Sequence, residues 1–150
     1  MEFGIAKKED VADILVLYKQ LNASNSDFSI ADAHKIWDKI EKENIRYFVA
    51  KDAGRVAGCC YIAIIPNLTF NGKAIGYIEN VVIDAEHRRQ GIGREILKRA
   101  VDYAKEQNCY KVVLQSGSER KDAHKFYQSI GFDGNSKKAF QIRLDTTEEE

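Results

Sequence analysis

The first third of the chain combines one short apolar run with two amphipathic helical patterns. MEFGIAK predicts a strand at the N-terminus. Apolar side chains then recur at helical spacing on either side of the polar stretch NASNSDFS: Val11, Ile14, Leu15 and Tyr18 in a first helix, and Ala33, Ile36, Trp37 and Ile40 in a second. The pattern therefore predicts a strand followed by two helices.

Strand patterns dominate the middle of the chain. RYFVAKD and VAGCCYIAIIPN predict two strands connected at AGR, and AIGYIENVVIDAE predicts a third after the turn signal Asn71-Gly72. Strands joined by tight turns pair antiparallel. We therefore expect an antiparallel meander in this region.

Helices and strands alternate in the last third. Ile92, Ile96, Leu97, Ala100 and Ala104 line one predicted helix, KVVLQSG is a strand, and Ala123, Phe126, Tyr127 and Ile130 line a further helix that Gly131 ends. AFQIRL predicts a final strand before the polar tail DTTEEE. Strands joined through helices allow a parallel pair. The fold class is therefore α/β (α+β), with helices flanking a mixed, mostly antiparallel sheet in one domain over residues 1–150.

Composition excludes several classes of protein. The 150 residues are 44% apolar and 31% charged, with 23 basic and 23 acidic side chains. A formal net charge of zero does not favour binding to nucleic acid or to a membrane surface. No apolar run is long enough to span a bilayer, and acids interrupt the N-terminal segment, so we expect a cytoplasmic protein. The three cysteines and three histidines lack metal-ligand spacing, so we expect no metal.

The segment EHRRQGIGREIL, residues 86–97, runs from a predicted strand into a predicted helix. A helix start presents unpaired backbone N–H groups that bind phosphates, and glycine lets the ligand come close. Gly91 and Gly93 stand at this start, with Arg88, Arg89 and Arg94 around it. In this arginine turn (residues 88–94), the pattern predicts a pyrophosphate-sized anion on the amides of about residues 89–94. The alternative is a plain loop-to-helix turn with solvated arginines.

Two other phosphate-binding motifs fail. A dinucleotide-binding G-x-G-x-x-G needs a third glycine where Ile96 stands, and an earlier strand. A P-loop needs Lys and Ser or Thr after its glycines, whereas Arg94 and Glu95 follow Gly93.

The arginine turn carries a family resemblance. Residues 88–93, RRQGIG, match the [QR]-x-x-G-x-[GA] acyl-CoA motif, and the chain resembles the GNAT N-acetyltransferase superfamily over nearly its whole length. IENVVIDAEH resembles the central strand of that family, and AHKFYQSIGF resembles its C-terminal helix. IENVVI, CYKVVL and KFYQSIGF are most similar to glucosamine-phosphate N-acetyltransferases, and IPNLTFNG with IENVV is similar to bacterial members of unassigned substrate. The resemblance implies the acyl-CoA N-acyltransferase fold, in which two parallel strands splay apart.

The resemblance also implies acetyl-CoA as co-substrate, held between the strands around Val81 and Val113. The residues implied in binding it are Val81, Val82, Ile83, Arg88, Arg89, Gln90, Gly91, Ile92, Gly93 and Arg94. The Val82 amide would hold the developing oxyanion. A bulge near Asn80 would aim that amide, so simple side-chain alternation is expected to fail there.

Three further residues complete the expected chemistry. Glu79, a carboxylate in an apolar strand, is the candidate for general base or water relay, or for a substrate ligand without proton transfer. Tyr127 occupies the position of the family's general acid, although its helical stripe also fits a core residue. Arg120 stands where the family often has Asn, so Ser116, Ser118 or Arg120 itself would contact that part of the cofactor.

The acceptor is the least determined part. It would lie near the first two helices, the NASNSDFSI loop and the Asn67–Gly72 turn, where the candidate lining residues are Tyr18, Phe28, Trp37, Asn67 and Phe70. Three hypotheses stay open: an N-acetyltransferase for a small primary amine, an amino sugar being one candidate; a protein or peptide acetyltransferase; and a catalytically degenerate acyl-CoA-binding regulatory module. The resemblance further implies a homodimer, in which AFQIRL strands could pair or exchange.

Overall fold

The computed structural model describes residues 1–22 and 28–145, so most of the NASNSDFSI loop and the end of the tail lie outside the described residues. The elements in chain order are β1 (Glu2–Ile5), α1 (Val11–Tyr18), α2 (Ile30–Glu41), β2 (Ile45–Asp52), β3 (Arg55–Ile65), β4 (Ala74–Ile83), α3 (Ile92–Glu106), β5 (Cys109–Leu114) and α4 (Lys121–Ile130). The chain packs as two compact units, residues 1–113 and 114–150. A single domain over the whole chain stays a prediction.

The strands form one sheet in the order β1-β2-β3-β4-β5. The first four pair antiparallel with their sequence neighbours, and β4 with β5 supplies the parallel pair. Near the start of that pair the Ala74 N–H donates to the Asn108 carbonyl at 3.2 Å. The mixed, mostly antiparallel sheet is confirmed.

Residues with left-handed backbone conformations lie at both predicted turns. Ala53 and Gly54 connect β2 to β3 with φ of 49° and 79°, as a two-residue hairpin with the strands' own twist requires. Asn71 and Gly72, with φ of 58° and 79°, turn the chain before β4. The predicted turn between β2 and β3 is confirmed as a two-residue hairpin, whereas Asn71 and Gly72 belong to a longer connection, residues 66–73. The last residues of β2 and β4 lie at the same end of the sheet, because both strands run antiparallel to β3.

Each face of the sheet packs on helices. One face joins α1 and α2 in a buried cluster: Ala6, Val11, Ile14, Leu17, Ala33, Trp37, Val49, Val56, Cys59 and Val82. The other face meets the buried side of α3, which carries Ile92, Ile96 and Leu97. Cys59 and Cys60 are both fully buried, as predicted for small apolar residues, and burial raises the pKa of the Cys59 thiol to about 12.

Gly58 lets α3 approach β3. A Cβ at this position would lie 2.9 Å from Ile83 Cδ1 and 3.1 Å from both Ile92 Cγ2 and Ile96 Cδ1. We expect Gly58→Ala to lower the free energy of unfolding by about 1–3 kcal/mol, because an extra methyl overpacks a close contact. Urea denaturation measures the change, and Gly4→Ala, where a Cβ meets no heavy atom within 4 Å, is the matched control.

The predicted final strand is wrong. Residues 139–144 adopt no strand, and the side chains of Phe140, Ile142 and Leu144 are 87%, 85% and 97% exposed. Alternating apolar residues stabilise a strand only when a neighbouring strand takes up their backbone hydrogen bonds and covers one face. The described chain provides 139–144 with neither.

Within residues 1–22 and 28–145, no helix has the length and apolar character that crossing a membrane needs.

Candidate active site

A β-bulge interrupts β4 next to Glu79. The register pairs Tyr61 with Glu79 and Cys59 with Val82, so Asn80 and Val81 together oppose one residue of β3. Asn80 takes up the irregularity with a left-handed φ of 53°. The predicted bulge is therefore confirmed, and its consequence is that Glu79 and Val82 lie on the same face of the sheet although three positions separate them.

Glu79 stands on the face of the sheet that α1 and α2 partly cover. Its cross-strand partner is Tyr61, and Ala63 pairs with Tyr77 one step further along the same face. Partial burial raises the pKa of the Glu79 carboxyl. Cross-strand pairing brings the two residues together, and burial, then the negative charge of Glu79, raise the pKa of the Tyr61 hydroxyl.

Aromatic rings continue from Tyr61 across the sheet. Tyr47 stacks on Tyr61 with ring centroids 5.0 Å apart, and Trp37 of α2 meets Tyr47 edge-on at 5.1 Å. The Tyr18 hydroxyl is buried beside Tyr47, Cys59 and Asn80, and burial raises its pKa strongly. Glu79 thus stands beside an aromatic wall (Trp37, Tyr47, Tyr61) in which Trp37 is buried in the core, while Tyr47 and Tyr61 are partly exposed and suited to contact with a small organic ligand.

The arginine turn leads from the end of β4 into α3. Gly91 is the N-cap of α3 with a left-handed φ of 78°, and no side chain caps the helix. Arg89 is also left-handed, at a φ of 63°, a strained conformation for a residue with a side chain. The first-turn N–H groups thus lack a side-chain partner, which is the arrangement that an anionic ligand can satisfy.

The three arginines of this turn differ in their surroundings. Arg88 donates from Nε to the Ile83 carbonyl at 3.1 Å, so its side chain also braces the end of β4. Arg89 and Arg94 are exposed, as are Arg88 and Gln90. Ile92 and Gly93 are buried against the sheet. The turn presents positive charge outward while its backbone is anchored in the core.

The unit of residues 114–150 carries the remaining predicted site residues. Tyr127 is 8% exposed, and its ring packs against Phe126 and Phe132 at centroid distances of 5.5 and 6.2 Å. Arg120 is exposed at the N-cap of α4, with no side-chain cap. The Ser116 Oγ is enclosed and receives no hydrogen bond from the described residues, an arrangement unusual enough to require an explanation. The roles of these three residues stay predictions.

The predicted acceptor residues do not gather in one place. Trp37 belongs to the core, while Phe28 is 41% exposed. Phe70 stacks on Tyr110 at 4.2 Å, and the Asn67 amide organises its own turn by donating to Thr69 Oγ1 at 2.6 Å. Sequence reasoning missed Tyr47 and Tyr61, because only the strand register, which the apolar pattern does not specify, brings them beside Glu79.

A cleft of about 360 Å³ in residues 1–113 shares Trp37 and Tyr47 with the aromatic wall. Trp37, Asn44, Arg46, Tyr47 and Tyr103 are among its lining residues. It lies at the start of β2, whereas the arginine turn follows the opposite end of the sheet, after Ile83. The cleft includes neither Glu79 nor the arginine turn. In the described residues no group of three or more His, Cys, Asp or Glu side chains could hold a metal ion.

Comparison with known proteins gives a consistent result. The Acetyltransferase (GNAT) family matches residues 9–132. Glucosamine 6-phosphate N-acetyltransferase of Trypanosoma brucei brucei is 28% identical over 97% of this chain and 95% of its own length. N-alpha-acetyltransferase 30 of Xenopus laevis is 36% identical over 49% of this chain and 28% of its own. A solved putative acetyltransferase from Agrobacterium tumefaciens is 33% identical, with a TM-score of 0.90 over 95% of this chain and 99% of that one.

Proposed function

Because the chain belongs to the GNAT family of acetyltransferases and is an acetyl-CoA-dependent N-acetyltransferase, we propose that it acetylates the primary amine of a small molecule, an amino sugar phosphate being the favoured acceptor. The observation that carries the proposal is the continuity of the site. Glu79, the bulge and the arginine turn follow one another along the end of β4 and the start of α3. The acceptor amine and acetyl-CoA would meet at the bulge.

The arginine turn fits the pyrophosphate of acetyl-CoA. The uncapped amides of α3 would donate to it, and Gly91 leaves its approach unobstructed, since a Cβ there would meet nothing within 4 Å. Arg89 and Arg94 would add positive charge at the rim. Val81, Val82 and Ile83 would pair with the pantetheine arm, and the Val82 amide would stabilise the oxyanion that forms when the amine attacks the thioester.

Glu79 would accept the proton that the amine must lose. An alkyl ammonium has a pKa of about 10, so at neutral pH most of the acceptor arrives protonated. A carboxylate with a raised pKa is a better proton acceptor than an ordinary one, and burial produces that shift at Glu79. The proton would pass to Glu79 directly or through one water molecule.

Tyr127 is the proposed proton donor to the departing CoA thiolate. We expect Tyr127→Phe to lower kcat by about tenfold or more while changing the acetyl-CoA dissociation constant little, because the substitution removes a proton donor and keeps the ring. Steady-state kinetics and calorimetry measure the two quantities. Phe126→Tyr on the same helix is the control, and full activity in Tyr127→Phe would return this residue to a core role.

Two observations favour an amino sugar phosphate as acceptor: the similarity to the Trypanosoma protein and the residues beside Glu79. The Trypanosoma protein named for glucosamine 6-phosphate resembles this chain over almost the whole length of both. The partly exposed Tyr61 and Tyr47 beside Glu79 would contact the sugar, and the carboxylate would pair with its ammonium group.

An acceptor panel tests the proposal. Thiol release from acetyl-CoA is followed with glucosamine 6-phosphate, glucosamine, an aminoglycoside and a peptide with a free N-terminus, each at matched concentration. We expect the highest kcat/KM with glucosamine 6-phosphate. Acetylation of the peptide alone would reject the small-molecule assignment, and acetyl-CoA binding without thiol release would favour the regulatory module.

Peptide acetylation is the second candidate. The Xenopus N-alpha-acetyltransferase 30 matches 49% of this chain at 36% identity. That match covers only 28% of the relative's length, so it supports peptide acetylation less than the nearly full-length Trypanosoma match supports a small amine.

A further inference from the structure

One imidazole joins two carboxylates immediately before the arginine turn. His87 Nδ1 lies 2.7 Å from Asp84 Oδ2, and His87 Nε2 lies 2.8 Å from Asp52 Oδ2. The side chains of His87 and Asp84 are each 24% exposed, while that of Asp52 is 57% exposed. His87 thereby connects the end of β2 to the segment that leaves β4.

Hydrogen bonds extend this bridge to two more elements. Gln20, just after α1, donates to Asp84 Oδ1 at 2.7 Å and accepts from the Ala85 N–H at 3.0 Å. The Asp84 N–H donates to the Ala57 carbonyl of β3 at 2.8 Å. The segment 84–87 is thus fastened to α1, β2 and β3, and Arg88 follows it directly.

The protonation state decides whether both bonds of the bridge exist. The charged groups that face His87 are Asp52 at the end of β2 and Asp84 at the end of β4, and both raise its pKa above the usual value. Asp84 has its own pKa lowered, first by Gln20 and then by His87. An imidazolium donates from both ring nitrogens, whereas a neutral imidazole has one donor and turns a lone pair toward the second carboxylate.

We propose that His87 is a positioning residue for acetyl-CoA: its imidazolium holds Asp52 and Asp84 together and so keeps the arginine turn in its binding conformation. The inference rests on the proposed function in placing the cofactor pyrophosphate on that turn. The direction of the pH dependence follows from the raised pKa of His87. The bridge is complete at low pH and is lost as the pH rises through the pKa of His87 in the folded protein. Acetyl-CoA affinity falls over the same interval.

Calorimetric titration with acetyl-CoA from about pH 6 to about pH 9 tests the proposal on the wild type, His87→Gln and Asp52→Asn. His34→Gln, the same substitution on α2, is the matched control. At low pH we expect His87→Gln to bind about fivefold more weakly, as when the turn is competent about one-fifth of the time. At high pH it should equal the wild type. Asp52→Asn should move the affinity change to lower pH, because one of the two groups that raise the pKa of His87 is gone.

The outcomes separate this inference from the proposed function. A wild type that binds no acetyl-CoA at any pH removes the cofactor site and the inference with it. A wild type that binds, with His87→Gln giving the same affinities at every pH, overturns only the role of His87. A uniform loss of affinity in His87→Gln that keeps the wild-type pH dependence also overturns it, since that result describes a structural residue. Thermal unfolding of each variant at both pH limits shows whether it is folded.

Discussion

Replacing Glu79 by Gln lowers kcat/KM about 100-fold or more and removes the acidic limb of its pH profile, if this carboxylate accepts the amine proton. In the wild type, activity rises with pH through the pKa of Glu79, because only the ionised carboxylate is a base. Burial raises that pKa, so the rise occurs at a higher pH than for an exposed Glu. The measurement is kcat/KM for the acceptor between about pH 5 and about pH 8.

Stability separates lost chemistry from lost folding in this variant. A carboxyl whose pKa is raised in the folded state contributes stability below its unfolded pKa and loses it as pH rises through the folded pKa. At neutral pH, therefore, Glu79→Gln removes a charge that is only partly desolvated at an exposed position, and we expect no loss of thermal stability. Glu106→Gln at the exposed end of α3 is the control. An unchanged pH profile in Glu79→Gln would leave Glu79 as a substrate ligand at most.

The second large effect is expected at the glycines of the arginine turn. Gly91→Glu and Gly93→Glu should each weaken acetyl-CoA binding about 100-fold or more, since a carboxylate would stand among the amides that bind the pyrophosphate. Any substitution of Gly91 also introduces backbone strain, because a φ of 78° costs a residue with a side chain about 1 kcal/mol. Calorimetric titration with acetyl-CoA gives the dissociation constants.

Two variants separate charge at the site from strain in the backbone. Gly72→Glu introduces the same residue at another left-handed glycine, with a φ of 79°, in the turn before β4. It should bind acetyl-CoA normally. Gly91→Ala keeps the strain without the charge and should lose much less affinity than Gly91→Glu. Wild-type affinity for acetyl-CoA in both Gly91→Glu and Gly93→Glu would exclude the turn as a phosphate site.

The helices and the central strands were predictable because their apolar positions repeat with a clear period. Ile92, Ile96, Leu97, Ala100 and Ala104 are all buried along α3, and Gly131 ends α4 in a left-handed conformation with a φ of 116°. The start of α3 at the glycines of the arginine turn was also predictable, whereas phosphate binding by that turn stays a prediction.

The pairing register between neighbouring strands was not predictable from the apolar pattern of the sequence. The bulge at Asn80 was expected only from the family resemblance, since a single extra residue leaves no periodic signal. Tyr47 and Tyr61 look like ordinary strand residues until the register brings them beside Glu79. The AFQIRL segment shows the opposite limit: its alternation is a genuine strand pattern, yet a strand also needs a neighbour that the segment itself does not specify.

The hydrogen-bonded bridge at His87 was also not predictable from the sequence pattern. Asp52 and Asp84 are distant in sequence, and only the shared end of β2 and β4 brings both to one imidazole, while Gln20 bonds to Asp84. A histidine two residues before RQGIG carries no signal of its own in the sequence.

Backbone amide resonances of the ¹⁵N-labelled protein, recorded with and without acetyl-CoA, test the central claim most directly. The account predicts the largest shifts at Val82 and at the start of α3, above all at Ile92, Gly93 and Arg94. Shifts concentrated instead at Asn44, Arg46 and Tyr103, in the cleft at the start of β2, would contradict it. They would show that the cofactor binds away from Glu79 and the bulge.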